Sequence, residues 1–403
     1  MRRSLAVLLS SVMLLVPTSA SAATHPAWHL DDGIRLIAVT TAPDGSIYIV
    51  GDQRKSITVE AFVAKYQRDG TLLWRRSWLP NTDASTNAAG VALLPSGNVA
   101  WTGNVQQQCE GNGWFVQVNR PDGDLVRRYV TPGWKCRLAE TVTGIATAPG
   151  RIFLTVFEHG CCADFFEDGF VQALDATANR RWRTNVEPPA PTPHSFFDAA
   201  DTISIGSSGS LYVAGWGATR PMLHETSPIR GTAVLWKLMP DGAVLWSHRI
   251  AAAPMPSIDT PVTLSVRGKA VMVSAGIRGS NVHWRRSPTD GWLGRFTTDG
   301  ALRWSRRWDV KDPSGAQPAG VAIDGHGTIW VVGTRRTTTN RGLALFVRRY
   351  GRAGALLDKD TVSGGSRYLQ GTGVATRGGG AYVTSWFGNN ISKGGRLWRF
   401  VVT

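Results

Sequence analysis

The chain has 403 residues, 44 Lys and Arg against 29 Asp and Glu, a formal net charge of +15, four Cys and 17 Trp. A balance this basic points toward anionic partners. No G-x-S-x-G elbow, H-E-x-x-H helix or P-loop occurs, which sets aside the enzyme classes those motifs define. After the N-terminal segment no apolar run approaches the ~20 residues a membrane-spanning helix needs.

Met1 to Ala22 reads as a secretory signal peptide. Arg2 and Arg3 form the basic region, Leu5 to Val16 the apolar region, and Ala20-Ser21-Ala22 the small-residue cleavage site. No lipid-attachment Cys follows. The mature protein is therefore expected to be secreted or periplasmic, free of a membrane anchor, and monomeric.

The remainder, residues 23–403, is one repeat array. Its unit holds two hairpins. The first appears at Ile37-Ala38-Val39, turns at Pro43-Asp44-Gly45 and returns through Ile47 to Gly51. The second runs Phe62-Val63-Ala64-Lys65-Tyr66, turns at Asp69-Gly70 and ends on Trp74. Asp-Gly between alternating apolar runs signals a tight hairpin, for which a two-residue type I′ turn is expected. The second hairpin returns at Leu235…Asp241-Gly242…Trp246 and Leu293…Asp299-Gly300…Trp304. It drifts elsewhere. Phe170…Trp182 has Thr177-Ala178 in the turn, Phe115…Asp122-Gly123 has Arg127 in place of Trp, and Phe346…Gly354 has Asp358 there. A period of roughly 50 residues carrying four short strands is that of a propeller blade.

Seven first hairpins occur but only six complete units. The last unit stops at Leu397-Trp398-Arg399-Phe400, a third strand without a fourth, while Ala27-Trp28-His29-Leu30 near the N-terminus matches the fourth-strand pattern of Leu73-Trp74-Arg75-Arg76. The expected fold is thus all-β: a seven-bladed propeller of four-stranded antiparallel blades. Residues 24–32 supply the strand that closes blade 7. The Gly-Val-Ala start of the first strand, the Pro-Asp-Gly turn and the Phe-Val-x-Lys…Asp-Gly-x-x-x-Trp hairpin resemble the bacterial secreted propellers of SBBP-type (delta-60-like) repeats. That resemblance covers essentially the whole mature chain and implies fold, not activity.

Strands are lettered A to D from the ring centre outward. Many arginines fall on D strands: Arg75, Arg76, Arg127, Arg128, Arg180, Arg181, Arg183, Arg249, Arg303, Arg306 and Arg307. Cations on outer edges block edge-to-edge pairing. They could also draw the protein nonspecifically to polyanions. The B–C and D–A connections share one face, and the long ones are expected at 106–112, 157–169, 187–200 and 217–231. These carry the candidate binding residues Glu158, His159, Asp164, Phe165, Phe166, Asp168, His194, Asp198, Trp216 and His224. Long segments on a rigid scaffold are where binding usually resides. Cys109, Cys136, Cys161 and Cys162 fall on the same face in neighbouring blades. In an oxidising compartment they are disulfide candidates, with all three pairings open. No spacing supports a metal site.

These features favour a recognition or scaffold module that binds a glycan, peptide or protein through the long-connection face. The alternative is a propeller enzyme, a hydrolase or lyase, at blades 3 and 4. Gly160-Cys161-Cys162-Ala163-Asp164 is also similar to the adjacent-cysteine segment of quinoprotein alcohol dehydrogenases. That similarity implies pyrroloquinoline quinone with calcium beside Cys161 and Cys162. The family has eight blades and carboxylate motifs that find no match here.

Overall fold

The computed structural model describes residues 24–31, 34–55, 57–107, 111–131, 138–160, 167–188, 197–218, 231–250, 261–278, 289–308, 315–337, 342–363, 368–388 and 394–402. These hold 28 strands and, among the described residues, no helix. The strands form seven four-stranded antiparallel blades. Blade 7 is built from residues 369–402 and completed by Thr24–Asp31, which pairs antiparallel with Gly395–Val402. The ring closes as the incomplete last repeat requires.

Each interface between blades buries its own apolar layer, seven in all, including one shared by blades 7 and 1 through Leu36, Phe62, Tyr382 and Leu397. The inner strands are covered on both faces, so their sequences are apolar without alternation: Ile47, Tyr48, Ile49 and Val50 are all buried. D strands, at the outer edge, are mostly exposed or half-buried.

Around the ring centre, the A strands of adjacent blades are fastened by side chains. Six of the seven A strands carry a β-bulge. At three of these the extra residue reaches the next blade. The Thr143 hydroxyl donates to the Ala200 carbonyl at 2.5 Å and the Thr372 hydroxyl to Leu36 at 2.9 Å, while the Asp201 carboxylate accepts the Val262 N–H at 2.9 Å.

The turns differ from the type I′ expectation. Ala178 is the sole non-glycine with positive φ among the described residues, so Asp69 does not adopt it. The Gly70 N–H reaches the Gln67 carbonyl at 3.0 Å, and the Gln67 N–H reaches Thr71 at 2.8 Å. This is a type I turn closed by a left-handed glycine, with a bulge at Lys65/Tyr66. The aspartate instead accepts the N–H two residues on: Asp69 from Thr71, Asp122 from Asp124 and Asp241 from Ala243.

The C–D glycines do more than turn the chain. The Trp74 indole donates to Pro121 at 2.9 Å, Trp182 to Pro240 at 3.2 Å and Trp304 to Arg352 at 3.2 Å, always in the C–D turn of the next blade. The ring lies against that turn's glycine. A Cβ on Gly123, Gly242 or Gly354 would come within 2.9 Å of the tryptophan. Two residues beyond the tryptophan a second donor grips the glycine carbonyl: Arg76 on Gly123, Thr184 on Gly242 and Arg306 on Gly354. Part of the D-strand arginine set therefore fastens blades together.

The clasp accounts for the two repeats that lack the tryptophan. Blade 2 has Arg127, and the blade 3 turn that follows it carries Ala178, buried in the layer between blades 2 and 3, where the other turns carry glycine. Blade 6 has Asp358 because blade 7 has no C–D turn, its C and D strands coming from opposite ends of the chain. Trp28 pairs with Arg399 in the register in which Trp74 pairs with Lys65.

Candidate functional site at the joined edge of blades 3 and 4

Blades 3 and 4 share a hydrogen-bonded sheet. Their strands form one eight-stranded sheet through a parallel bridge between Glu167, at the start of blade 3 strand C, and Phe197, at the start of blade 4 strand A. The bridge lies at the end of the ring from which the B–C and D–A connections leave. His159, Glu167, Phe197, Ala218 and Gly231 follow one another in register across it. Backbone pairing thus brings together three of the stretches singled out from sequence.

The strands run further than expected. Gln106 and Asn112 pair across blade 2, so that connection is shorter than 106–112. Glu158 and Asp168 are cross-strand partners, and Asp198 pairs with Gly217. Glu158, His159, Asp168 and Asp198 sit on strands, not in loops. Trp216 is also in a strand and only 8% exposed, packed as interior. Asp164, Phe165, Phe166, His194, His224 and the four cysteines lie outside the described residues.

Register places Glu140, Glu158 and Asp168 side by side on one face of blade 3, the face toward blade 2. One cation serves this row. Arg183 on strand D reaches Glu140 at 2.5 Å and Glu158 at 2.6 Å, and its guanidinium lies over the Phe170 ring at 3.7 Å. Glu140 is 6% exposed and also accepts the Trp114 indole N–H of blade 2 at 2.8 Å. A buried carboxylate demands such partners.

Asp168 has no such partner among the described residues. Burial pushes its carboxyl above the ordinary range, nearby Glu187 pushes the same way, and Arg183 opposes only in part. The edge thus combines two neutralised carboxylates with two, Asp168 and the exposed Glu187, that repel each other. Such a surface can accept hydrogen bonds from hydroxyl or ammonium groups, and a half-buried acid of raised pKa can transfer a proton.

Sequence reasoning missed Glu140, Arg183, Trp114 and Glu187. Arg183 was hidden in the rim set, and Glu140 lies on the third residue pair from the open end of a hairpin, where only register reveals its neighbours. Deeper in the ring, burial pushes the Asp201 carboxyl up to about 7 against the opposing Val262 hydrogen bond. No group of three or more His, Cys, Asp or Glu disposed to hold a metal occurs among the described residues. The quinone and calcium expectation falls on Cys161 and Cys162, outside them.

The fold and this edge define a closed seven-bladed β-propeller with an acidic, aromatic-backed strand edge on one face. Neither a family model nor a curated protein matches the sequence. Solved structures share the fold. Plexin A of Drosophila, in complex with Semaphorin 1b, is 9% identical with a TM-score of 0.52, covering 94% of this chain and 88% of that one. The polysaccharide lyase Uly1 is 10% identical with a TM-score of 0.51, covering 91% and 90%. An α-L-arabinofuranosidase of Fusarium graminearum, in complex with arabinobiose, is 10% identical with a TM-score of 0.49, covering 84% and 98%. At these identities the likeness is one of fold. Among the described residues no helix is long and apolar enough to cross a membrane.

Proposed function

We propose that the protein is an exported recognition module that binds a glycan, peptide or protein partner at the long-connection face of blades 2 to 4. The supporting observation is the carboxylate row of Glu140, Glu158 and Asp168 with Glu187 nearby, on an edge that two blades share, the first two held by one guanidinium. A rigid row of acceptors suits a ligand rich in donors, either sugar hydroxyls or the cationic side chains of a peptide. Export follows from the signal-like segment, and the four cysteines then staple the connections around this edge. Structures of this fold include both a semaphorin-bound plexin and a polysaccharide lyase, so the choice rests on the residues.

The second reading is catalytic, a hydrolase or lyase, and Asp168 favours it. Its carboxyl, raised by burial and by the nearby Glu187 carboxylate, is the kind of group that can act as an acid. One experiment weighs both. Mature protein and an Asp168→Asn/Glu187→Gln variant are screened against neutral, acidic and amino-sugar oligosaccharides and lysine-rich and acidic peptides. Bound and released species are then analysed by mass spectrometry. Recognition predicts capture without turnover, weakened at least tenfold in the variant. Turnover lost in the variant would install the enzyme reading. Capture unchanged in the variant would move the site elsewhere.

A further inference from the structure

On the opposite face, between the short turns of blades 5 and 6, lies a cavity of about 230 Å³. Arg267 and Lys269 from the blade 5 A–B turn, Arg295 from strand C of blade 5 and Arg352 from the blade 6 C–D turn line it. Ile323 and Ile329 form part of its apolar floor. Its one carboxylate, Asp324, is 2% exposed and turned inward. It accepts the His326 and Thr328 N–H groups at 2.9 Å and the Trp330 indole at 3.4 Å. Four cations therefore face a carboxylate already engaged by backbone and indole. None of the four forms an ion pair among the described residues.

Other gaps in the ring show what is unusual here. Between blades 1 and 2 the equivalent of Arg295 is Lys65, whose ammonium donates to Pro121 at 3.2 Å, with Asp44 close enough to feel its charge. Between blades 4 and 5 Lys237 donates to Thr298 at 2.9 Å. Arg295 makes the same contact, at 2.5 Å, but to the carbonyl of another arginine, Arg352. Blade 5 also carries Arg267 and Lys269 where the blade 1 turn carries Asp44. Burial, then the charges of Arg352 and Arg303, depress the Arg295 pKa. These cations repel one another, a cost that a bound anion would relieve.

We propose that the cleft between blades 5 and 6 is an anion-binding site for a tetrahedral dianion, a phosphate or sulfate group, free or as the ester of a larger ligand. Arg295 is half-buried and held by its bond to Arg352, so it presents its remaining donors in a fixed direction. Arg267, Lys269 and Arg352 are exposed and close around the anion from both blades. The apolar floor suits the carbon skeleton of an ester. Guanidinium groups favour such oxyanions by paired hydrogen bonds.

The test is calorimetric titration of the full mature chain with inorganic phosphate, inorganic sulfate and a sulfated disaccharide. Two variants are compared. Lys269→Gln/Arg352→Gln removes two exposed cations of the cleft and leaves the Arg352 backbone carbonyl for Trp304 and Arg295. Arg127→Gln/Arg180→Gln removes two exposed cations elsewhere on the rim. The expected result is binding by at least one probe, weakened at least tenfold in the first variant and less than twofold in the second. Preference for the disaccharide over both inorganic ions identifies an ester ligand, and the reverse a free anion. No binding at 10 mM (roughly 2.7 kcal/mol of affinity), equal weakening in both variants, or no weakening in the first would each overturn the proposal.

Discussion

Placing a methyl group on Gly123 tests the interblade clasp. Gly123 has φ +95°, and its Cβ would lie 2.9 Å from the Trp74 ring and 3.2 Å from the Arg76 guanidinium. Gly45 has nearly the same φ, +91°, but its nearest neighbour would be an arginine methylene at 3.9 Å. Left-handed backbone costs an L-residue about 1–2 kcal/mol, and forcing an extra methyl into a packed contact costs about 1–3 kcal/mol. Gly45→Ala should therefore lose about 1–2 kcal/mol, and Gly123→Ala a further 1–3 or so. Denaturant unfolding monitored by tryptophan fluorescence reads the difference. Combining Gly123→Ala with Trp74→Ala closes the cycle: with the indole gone the excess should vanish, giving a coupling of about 1–3 kcal/mol. Equal costs for the two glycines, or additivity in the double variant, would refute the assignment of these glycines to interblade contact.

Three further outcomes follow. Arg183→Met should cost up to about 3 kcal/mol, because Glu140 and Glu158 lose their shared cation while Glu140 stays buried; Glu158→Gln, which leaves the Arg183–Glu140 pair intact, should cost under about 1 kcal/mol by the same denaturation assay. The Asp201 carboxyl is raised from an unfolded value near 3.9 to about 7 when folded. The folded state then holds the extra proton between these values, so the group's stabilising contribution is full below about pH 4 and is lost as pH rises through 7. Asp201→Asn should melt with wild type near pH 4 and above it at pH 8; parallel curves across that range would remove Asp201 as the cause. Deleting residues 23–33 should strip the outer strand from blade 7, exposing the edge of Gly395–Val402 to association that light scattering detects; a monomeric, fully stable deletion would count against closure by the N-terminal strand.

The repeat was legible because each blade obeys the same local chemistry. Left-handed glycine fixes the turns, both-sided burial makes the inner strands uniformly apolar, and the C–D bulge carries tryptophan into the next blade. Even the exceptions at Arg127 and Asp358 obey it, since each marks a blade whose successor offers no glycine turn. The turn type was misjudged for a local reason: Asp-Gly permits two geometries, and the bulge that selects between them is a property of the pairing.

The site was less legible because its neighbours are set by register across strands, which a linear pattern does not display. Glu140, Glu158 and Asp168 are far apart in sequence and adjacent in space only because three strands pair at those residues. Arg183 illustrates the same point from the charge side. Counted in sequence it is one more rim cation, yet it is the cation that two carboxylates of a buried edge share. The net charge of +15 is likewise a sum over unlike roles. Arg76 and Arg306 clasp blades, Arg183 neutralises two carboxylates of an acidic row, and Arg295 and Arg352 crowd a cleft that holds no free counter-charge among the described residues. Only the last of these leaves positive charge concentrated and unspent, and on the face opposite the acidic edge. A protein of this sign should therefore present two electrically opposed ends, the one suited to donors and the other to anions.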